Sequence, residues 1–108
     1  EDAEAAKLKE DALALQEAGC FAIVLEKIPA TLAEEVSKML DIPTIGIGAG
    51  NKTDGQVLVV NDMLGITQEF KPKFLRQYLN LNEEINNAVK QYISDVKSQN
   101  YPNESEQY

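Results

Sequence analysis

Ile23-Val24-Leu25-Glu26, followed eighteen residues later by Thr44-Ile45-Gly46-Ile47-Gly48-Ala49-Gly50, decides how this chain is read. Both runs have the length and apolar content of strands. A continuous apolar run such as Phe21 to Leu25 is the pattern of a parallel strand covered on both faces. The first of the two ends on a carboxylate. In α/β barrels the carboxyl ends of the strands carry the chemistry. A Glu that leaves an apolar core for a pocket therefore has the position of a general base, and partial desolvation would strengthen it. The plainer alternative is that Glu26 caps the following helix or pairs with Lys27.

Upstream of this stretch, Ala5, Leu8, Ala12 and Leu15 fall on one helical face, and Gly19 sits where a helix stops on a left-handed residue. Between the two strands, Pro29 precedes a second helix with Leu32, Val36, Met39 and Leu40 inside. Thr31 and Glu34 have the spacing of a capping box there. Helix, strand, helix, strand with short connections implies a parallel sheet. Beyond the turn-rich segment Asn51 to Gly55, Gln56-Val57-Leu58-Val59-Val60 reads as a third strand, its side chains alternating Val57 and Val59 against Leu58 and Val60. Asp62 reads as a turn or cap residue, and a helical region is expected from near Lys73. The last helix carries an apolar stripe of Ile85, Ala88, Val89, Tyr92, Ile93 and Val96 behind a cap at Asn80 or Asn82. Residues 1–98 are expected to belong to a single barrel domain, with 99–108 a fraying polar tail.

Composition removes several classes of function. With ten Lys and Arg against eighteen Asp and Glu, a net charge of −8 opposes nucleic acid and anionic membrane. No apolar stretch approaches the roughly 18 residues of a membrane span, and no signal pattern opens the chain, so the expected location is the cytoplasm. The absence of histidine and the single cysteine, Cys20, exclude a self-contained zinc site or a Ser-His-Asp triad. The Gly46 to Gly50 run lacks the spacing of a dinucleotide-binding loop; it allows either tight packing at a strand or close approach of a ligand. Three strands cannot close a barrel. At about 30 residues per βα unit, an eight-unit barrel of roughly 250 residues would have its first five units upstream, so the chain is expected to be a C-terminal portion.

The motifs, taken together, resemble one family. Ile23 to Pro29, Ile42 to Gly50, Asp54-Gly55-Gln56-Val57-Leu58-Val59 and Asp62-Met63-Leu64-Gly65 are similar, in order and spacing, to ketopantoate hydroxymethyltransferase. Pro72-Lys73-Phe74, Tyr78 and Tyr101-Pro102 extend the likeness nearly to the end. The resemblance implies the last three or so βα units of a (β/α)8 TIM barrel, followed by a C-terminal helix. It implies transfer of a hydroxymethyl group from 5,10-methylenetetrahydrofolate to 3-methyl-2-oxobutanoate, a small 2-oxo acid held on Mg2+, giving ketopantoate for pantothenate synthesis. Glu26 matches the family's proton acceptor, and Ile47, Val57 and Val59 match apolar positions around the branched end of the substrate. The Mg2+ ligands are expected in upstream strands, which makes the N-terminal part of the enzyme the first partner, with a homo-oligomer as the assembly. Asn61 and Lys27 depart from residues common in the family at the pocket rim.

Two other readings stay open. One is a non-catalytic half-barrel module that binds a partner through its exposed edges. The other is a different Mg2+-dependent 2-oxo acid barrel that uses an enolate for a lyase reaction, which the fold alone would permit.

Overall fold

The computed structural model describes residues 2–108, in two compact units. The first runs to Leu58 and takes in Pro72–Leu75; the second comprises Val59–Lys71 and Arg76–Tyr108.

In the first unit, α1 (Asp2–Glu17) stops at Gly19, which adopts the left-handed conformation at φ 98°. The strands β1 (Ile23–Glu26), β2 (Thr44–Ile47) and β3 (Gly55–Gln56) form a three-stranded parallel sheet in the order β1-β2-β3. Between β1 and β2 lies α2 (Ala30–Met39). The helix starts directly after Pro29, whose φ of −56° already suits a first turn, so Thr31 falls inside it. No side-chain capping bond forms, and the expected capping box is absent; Glu34 is hydrogen-bonded instead by Lys38 one turn later, at 2.7 Å.

One face of the sheet is covered. Ile23 and Leu25 of β1 join Ala12 of α1, Ala33, Val36 and Leu40 of the second helical segment, and Ala49 in the core. The other face is open. Burial alternates along β1, with Val24 60% exposed, and Phe21 just before it is exposed as well. The expectation of strands covered on both faces is therefore corrected: the sequence runs apolar on both sides, but the described residues provide helices for one side only.

The third strand is shorter than its apolar run. Val57 still donates its N–H to the Gly46 carbonyl at 3.0 Å, but β2 leaves the ladder at Gly48, so nothing continues the pairing and Val60 already begins a short helix.

In the second unit, α3 (Val60–Met63) is followed by an irregular segment tied to the start of α4 (Leu81–Lys97). Leu81 and Asn82 donate to the Leu64 and Gly65 carbonyls at 2.8 and 3.0 Å. The helix expected near Lys73 does not form. Around Pro72 there is one turn, from Leu75 N–H to the Pro72 carbonyl at 3.0 Å, and Phe74 packs on Gly48 instead. The stripe of α4 is uncovered, with Ile85, Val89, Tyr92, Ile93 and Val96 all exposed. Past it, residues 104–106 make a 3₁₀ turn capped reciprocally by Asn103 and Glu106.

Candidate active site

The parallel register aligns the expected site residues. Glu26 pairs with Ile47 across β1 and β2, and Gly46 pairs with Gln56 across β2 and β3. The residues after Gly46 and Gln56, Ile47 and Val57, are consequently level, and strand alternation turns both to the face that carries Glu26. The row Glu26, Ile47, Val57 lies on the open face at the carboxyl ends of the strands. One step below it come Val24, Ile45 and Gly55, where the missing side chain of Gly55 leaves room for Ile45 Cδ1.

Glu26 is exposed, so the low-dielectric surroundings expected of it are not provided by the described residues. It does not cap α2, whose first turn accepts no side chain, and among the described residues it makes no ion pair with Lys27. Lys27 has a different task. With φ at 52° it turns the chain sharply out of β1 while its N–H donates to the Ile47 carbonyl at 2.9 Å. A left-handed lysine costs about 1 kcal/mol or more, so the bond to Ile47 and the turn into α2 must hold it there.

Val59 is not in the row. It lies in the second unit as the residue before α3, in extended conformation.

The glycines of β2 and its exit are packed by this chain's own atoms. Thr53 Oγ1 and Gln56 Nε2 approach Gly46. The Phe74 ring lies over Gly48, and Ala30, the first residue of α2, abuts Gly50. Gln56 Nε2 also donates to the Gly50 carbonyl at 2.8 Å and to Thr53 Oγ1 at 2.9 Å, knitting the loop after β2. Of the two uses open to this run, tight packing accounts for the space beside all three glycines. Reading the sequence alone marks the glycines but not their partners, because Phe74 lies twenty-six residues downstream of Gly48.

Asp54, at the opposite end of the strands, is engaged structurally. Asp54 Oδ2 accepts from the Thr44 N–H at 2.8 Å and from its hydroxyl at 3.1 Å, at the amino end of β2. Among the described residues no group of three His, Cys, Asp or Glu side chains gathers as metal ligands do. This stretch therefore does not fit a Mg2+ site by itself, and no step is derived through the metal. One cleft, of about 810 Å3, lies outside the row between α1 and the start of α2. It mixes Asp2 and Glu4 with Lys27 and with the ion pair that Lys9 makes with Glu35. A smaller cleft of about 190 Å3 reaches Glu26 along the free edge of β1. Among the described residues no helix is long and apolar enough to cross a membrane.

A sequence model of ketopantoate hydroxymethyltransferase matches residues 1–104. The chain belongs to the ketopantoate hydroxymethyltransferase family. It is similar to the 3-methyl-2-oxobutanoate hydroxymethyltransferases of Parabacteroides distasonis, at 67% identity over 108 residues, of Porphyromonas gingivalis strain ATCC 33277, at 63%, and of Flavobacterium johnsoniae, at 60%. In each case the match covers 100% of this chain and 40% of the relative. The chain thus spans about 40% of the length of these ketopantoate hydroxymethyltransferases, and its three parallel strands are consistent with part of a barrel.

Proposed function

We propose that this chain is the C-terminal portion of a cytoplasmic (β/α)8-barrel ketopantoate hydroxymethyltransferase and supplies its general base. In this reading 3-methyl-2-oxobutanoate, 5,10-methylenetetrahydrofolate and water give ketopantoate and tetrahydrofolate. Glu26 takes the C3 proton of the 2-oxo acid, and the carbanion equivalent so formed makes the new bond to the one-carbon unit. Ile47 and Val57 beside Glu26, with Val59 further along the chain, hold the branched alkyl end and keep water from it. Mg2+, on ligands from the rest of the enzyme, would polarise the 2-oxo group.

The single observation that carries the reading is the row Glu26, Ile47, Val57, a carboxylate beside two branched apolar side chains at the carboxyl ends of parallel strands. The free edge supports the need for the rest of the enzyme. Ile23 and Lys27 donate toward β2, so alternation directs the backbone groups of Val24 and Glu26 to the other side of β1, where no described strand pairs with them. The uncovered α4 stripe is the surface that assembly into a homo-oligomer would cover.

The test combines the chain with the remaining portion of the enzyme, 3-methyl-2-oxobutanoate, 5,10-methylenetetrahydrofolate and Mg2+, and follows ketopantoate. The expected result is product from the combination and none from the chain alone or after chelation of the metal. A stable combined species without turnover would favour the alternative that the same exposed edge supports, a non-catalytic module that docks on a partner.

A further inference from the structure

Directly after Glu26, Lys27 holds a backbone conformation, φ 52°, that lysine adopts only against steric resistance. Its N–H donates to the Ile47 carbonyl at 2.9 Å, which carries the contact between β1 and β2 one rung past Glu26, the last residue of β1. Ile28, the next residue, packs against the core, and α2 begins at Ala30. The chain therefore changes course at Lys27, between the end of the ladder and the core. The Lys27 ammonium does not hold this turn, since the side chain is exposed and makes no ion pair among the described residues. Nothing holds the Glu26 carboxylate either: among the described residues it makes no hydrogen bond or ion pair, so its direction is set by the backbone that carries it. Backbone outliers of this kind persist where the surroundings over-determine them, and they gather at functional sites.

We propose that Lys27 is a positioning residue for the proton abstraction: its left-handed backbone, pinned to the Ile47 carbonyl, fixes the direction in which Glu26 leaves β1 and so aims the carboxylate at the C3 proton of the 2-oxo acid. This rests on the reading of Glu26 as the general base given above. The role belongs to the backbone of Lys27, so it depends on which side chains tolerate a positive φ. Asparagine does so readily, whereas a branched Cβ opposes it.

The experiment compares the complete enzyme unaltered and as Lys27→Val, Lys27→Asn and Glu26→Gln, each well below its melting temperature. It measures kcat, KM and exchange of the C3 hydrogen of 3-methyl-2-oxobutanoate with deuterium oxide. Lys27→Val is expected to lower kcat and the exchange rate together, on the order of 10–100-fold, with KM little changed, as a misdirected base would. Lys27→Asn, which lacks the ammonium but keeps the conformation, recovers most of that loss. If the valine variant does not fold, Lys27→Thr takes its place, with the same branch and a polar group suited to an exposed position. A branched variant that melts earlier yet keeps the kcat and exchange rate of the parent shows a turn that is structural only, and overturns the inference. Equal losses in the branched and asparagine variants assign the effect to the lost side chain and overturn it as well. In both cases loss of exchange in Glu26→Gln leaves the proposed reaction standing. Exchange by Glu26→Gln at the rate of the parent removes Glu26 as the base, and the inference with it.

Discussion

Glu26 of β1 stands in register with Ile47 of β2, so the one carboxylate at the exit of the first strand is level with the branched side chain at the exit of the second. Because Glu26 makes no side-chain hydrogen bond or ion pair among the described residues, replacing it removes chemistry rather than support. Glu26→Gln keeps shape and size and deletes only the basic oxygen. In the complete enzyme, turnover is expected to fall about 10²–10⁴-fold, the usual worth of a positioned general base, with the melting temperature nearly unchanged. Exchange of the C3 hydrogen of 3-methyl-2-oxobutanoate with deuterium oxide checks the step directly. If the variant exchanged as fast as the parent, Glu26 would lose the role.

Gln16, near the end of α1, reaches the segment that leads into β2. Its Oε1 accepts from the Asp41 N–H at 2.6 Å and the Ile42 N–H at 3.2 Å. Two backbone donors therefore depend on one side-chain oxygen, and the Ile42 end of the clamp is half-buried, where water replaces it poorly. Gln16→Ala should lower stability by about 1 kcal/mol, and Gln16→Glu, which keeps the acceptor, by much less. Paired thermal melts decide it; equal loss in both variants would mean that the helix, not the clamp, was perturbed.

Glu34 titrates below the ordinary glutamate range. The ammonium of Lys38 donates to it and, by its charge, adds to the effect, holding the carboxyl below the ordinary glutamate value; partial desolvation opposes this, and Lys52 contributes slightly in the same direction as Lys38. A lowered value in the folded state means that the contact stabilises the protein above the unfolded value and that this contribution is lost as pH falls through the folded one. In a Lys38→Met variant the Glu34 carboxyl should titrate at higher pH, as followed by carbon-detected NMR. Coincident titration curves in parent and variant would contradict the assignment.

Periodicity made much of this structure readable in the sequence. The alternation of helix and strand, the stop at Gly19 and the placing of Glu26 at the end of the first strand come from local pattern, because the two- and 3.6-residue periods are set by the backbone itself; Ile47 and Val57 are marked by the family resemblance. What failed depended on partners. Val24 reads as buried, yet burial needs a second layer that the described residues lack. The Gln56 to Val60 run is apolar enough for a full strand, but a strand lasts only while its neighbour stays beside it, and β2 turns away at Gly48. Thr31 and Glu34 had the spacing of a capping box, and Pro29 pre-empted it by starting the helix earlier. At the C-terminus, Asn103 and Glu106 had the same spacing, and there the reciprocal cap does form.

The last relationship concerns the amino end of β2, far along the strand from the row. Thr44 is fully buried. Its hydroxyl lies 2.6 Å from Ser37 Oγ, which itself donates to the Ala33 carbonyl at 2.7 Å. It also lies within hydrogen-bond distance of Asp54, whose carboxylate accepts from the Thr44 hydroxyl and backbone N–H. One hydroxyl thus ties α2, the start of β2 and the entrance of β3. Thr44→Val preserves the volume and leaves the Ser37 and Asp54 oxygens short of a partner in a water-poor site, a cost of about 1–3 kcal/mol. Asp54→Asn retains an acceptor for the Thr44 N–H and should cost less. Because the two residues share one network, the double variant should lose less than the sum of the single losses, a coupling that a double-mutant cycle of unfolding free energies measures. Additive losses would dissolve the network into independent contacts. Catalysis at the carboxyl ends of the strands should be spared, so turnover measured well below the melting temperature is expected to stay near that of the parent in all three variants. A large fall in turnover with stability intact would instead tie this end of β2 to the chemistry at Glu26.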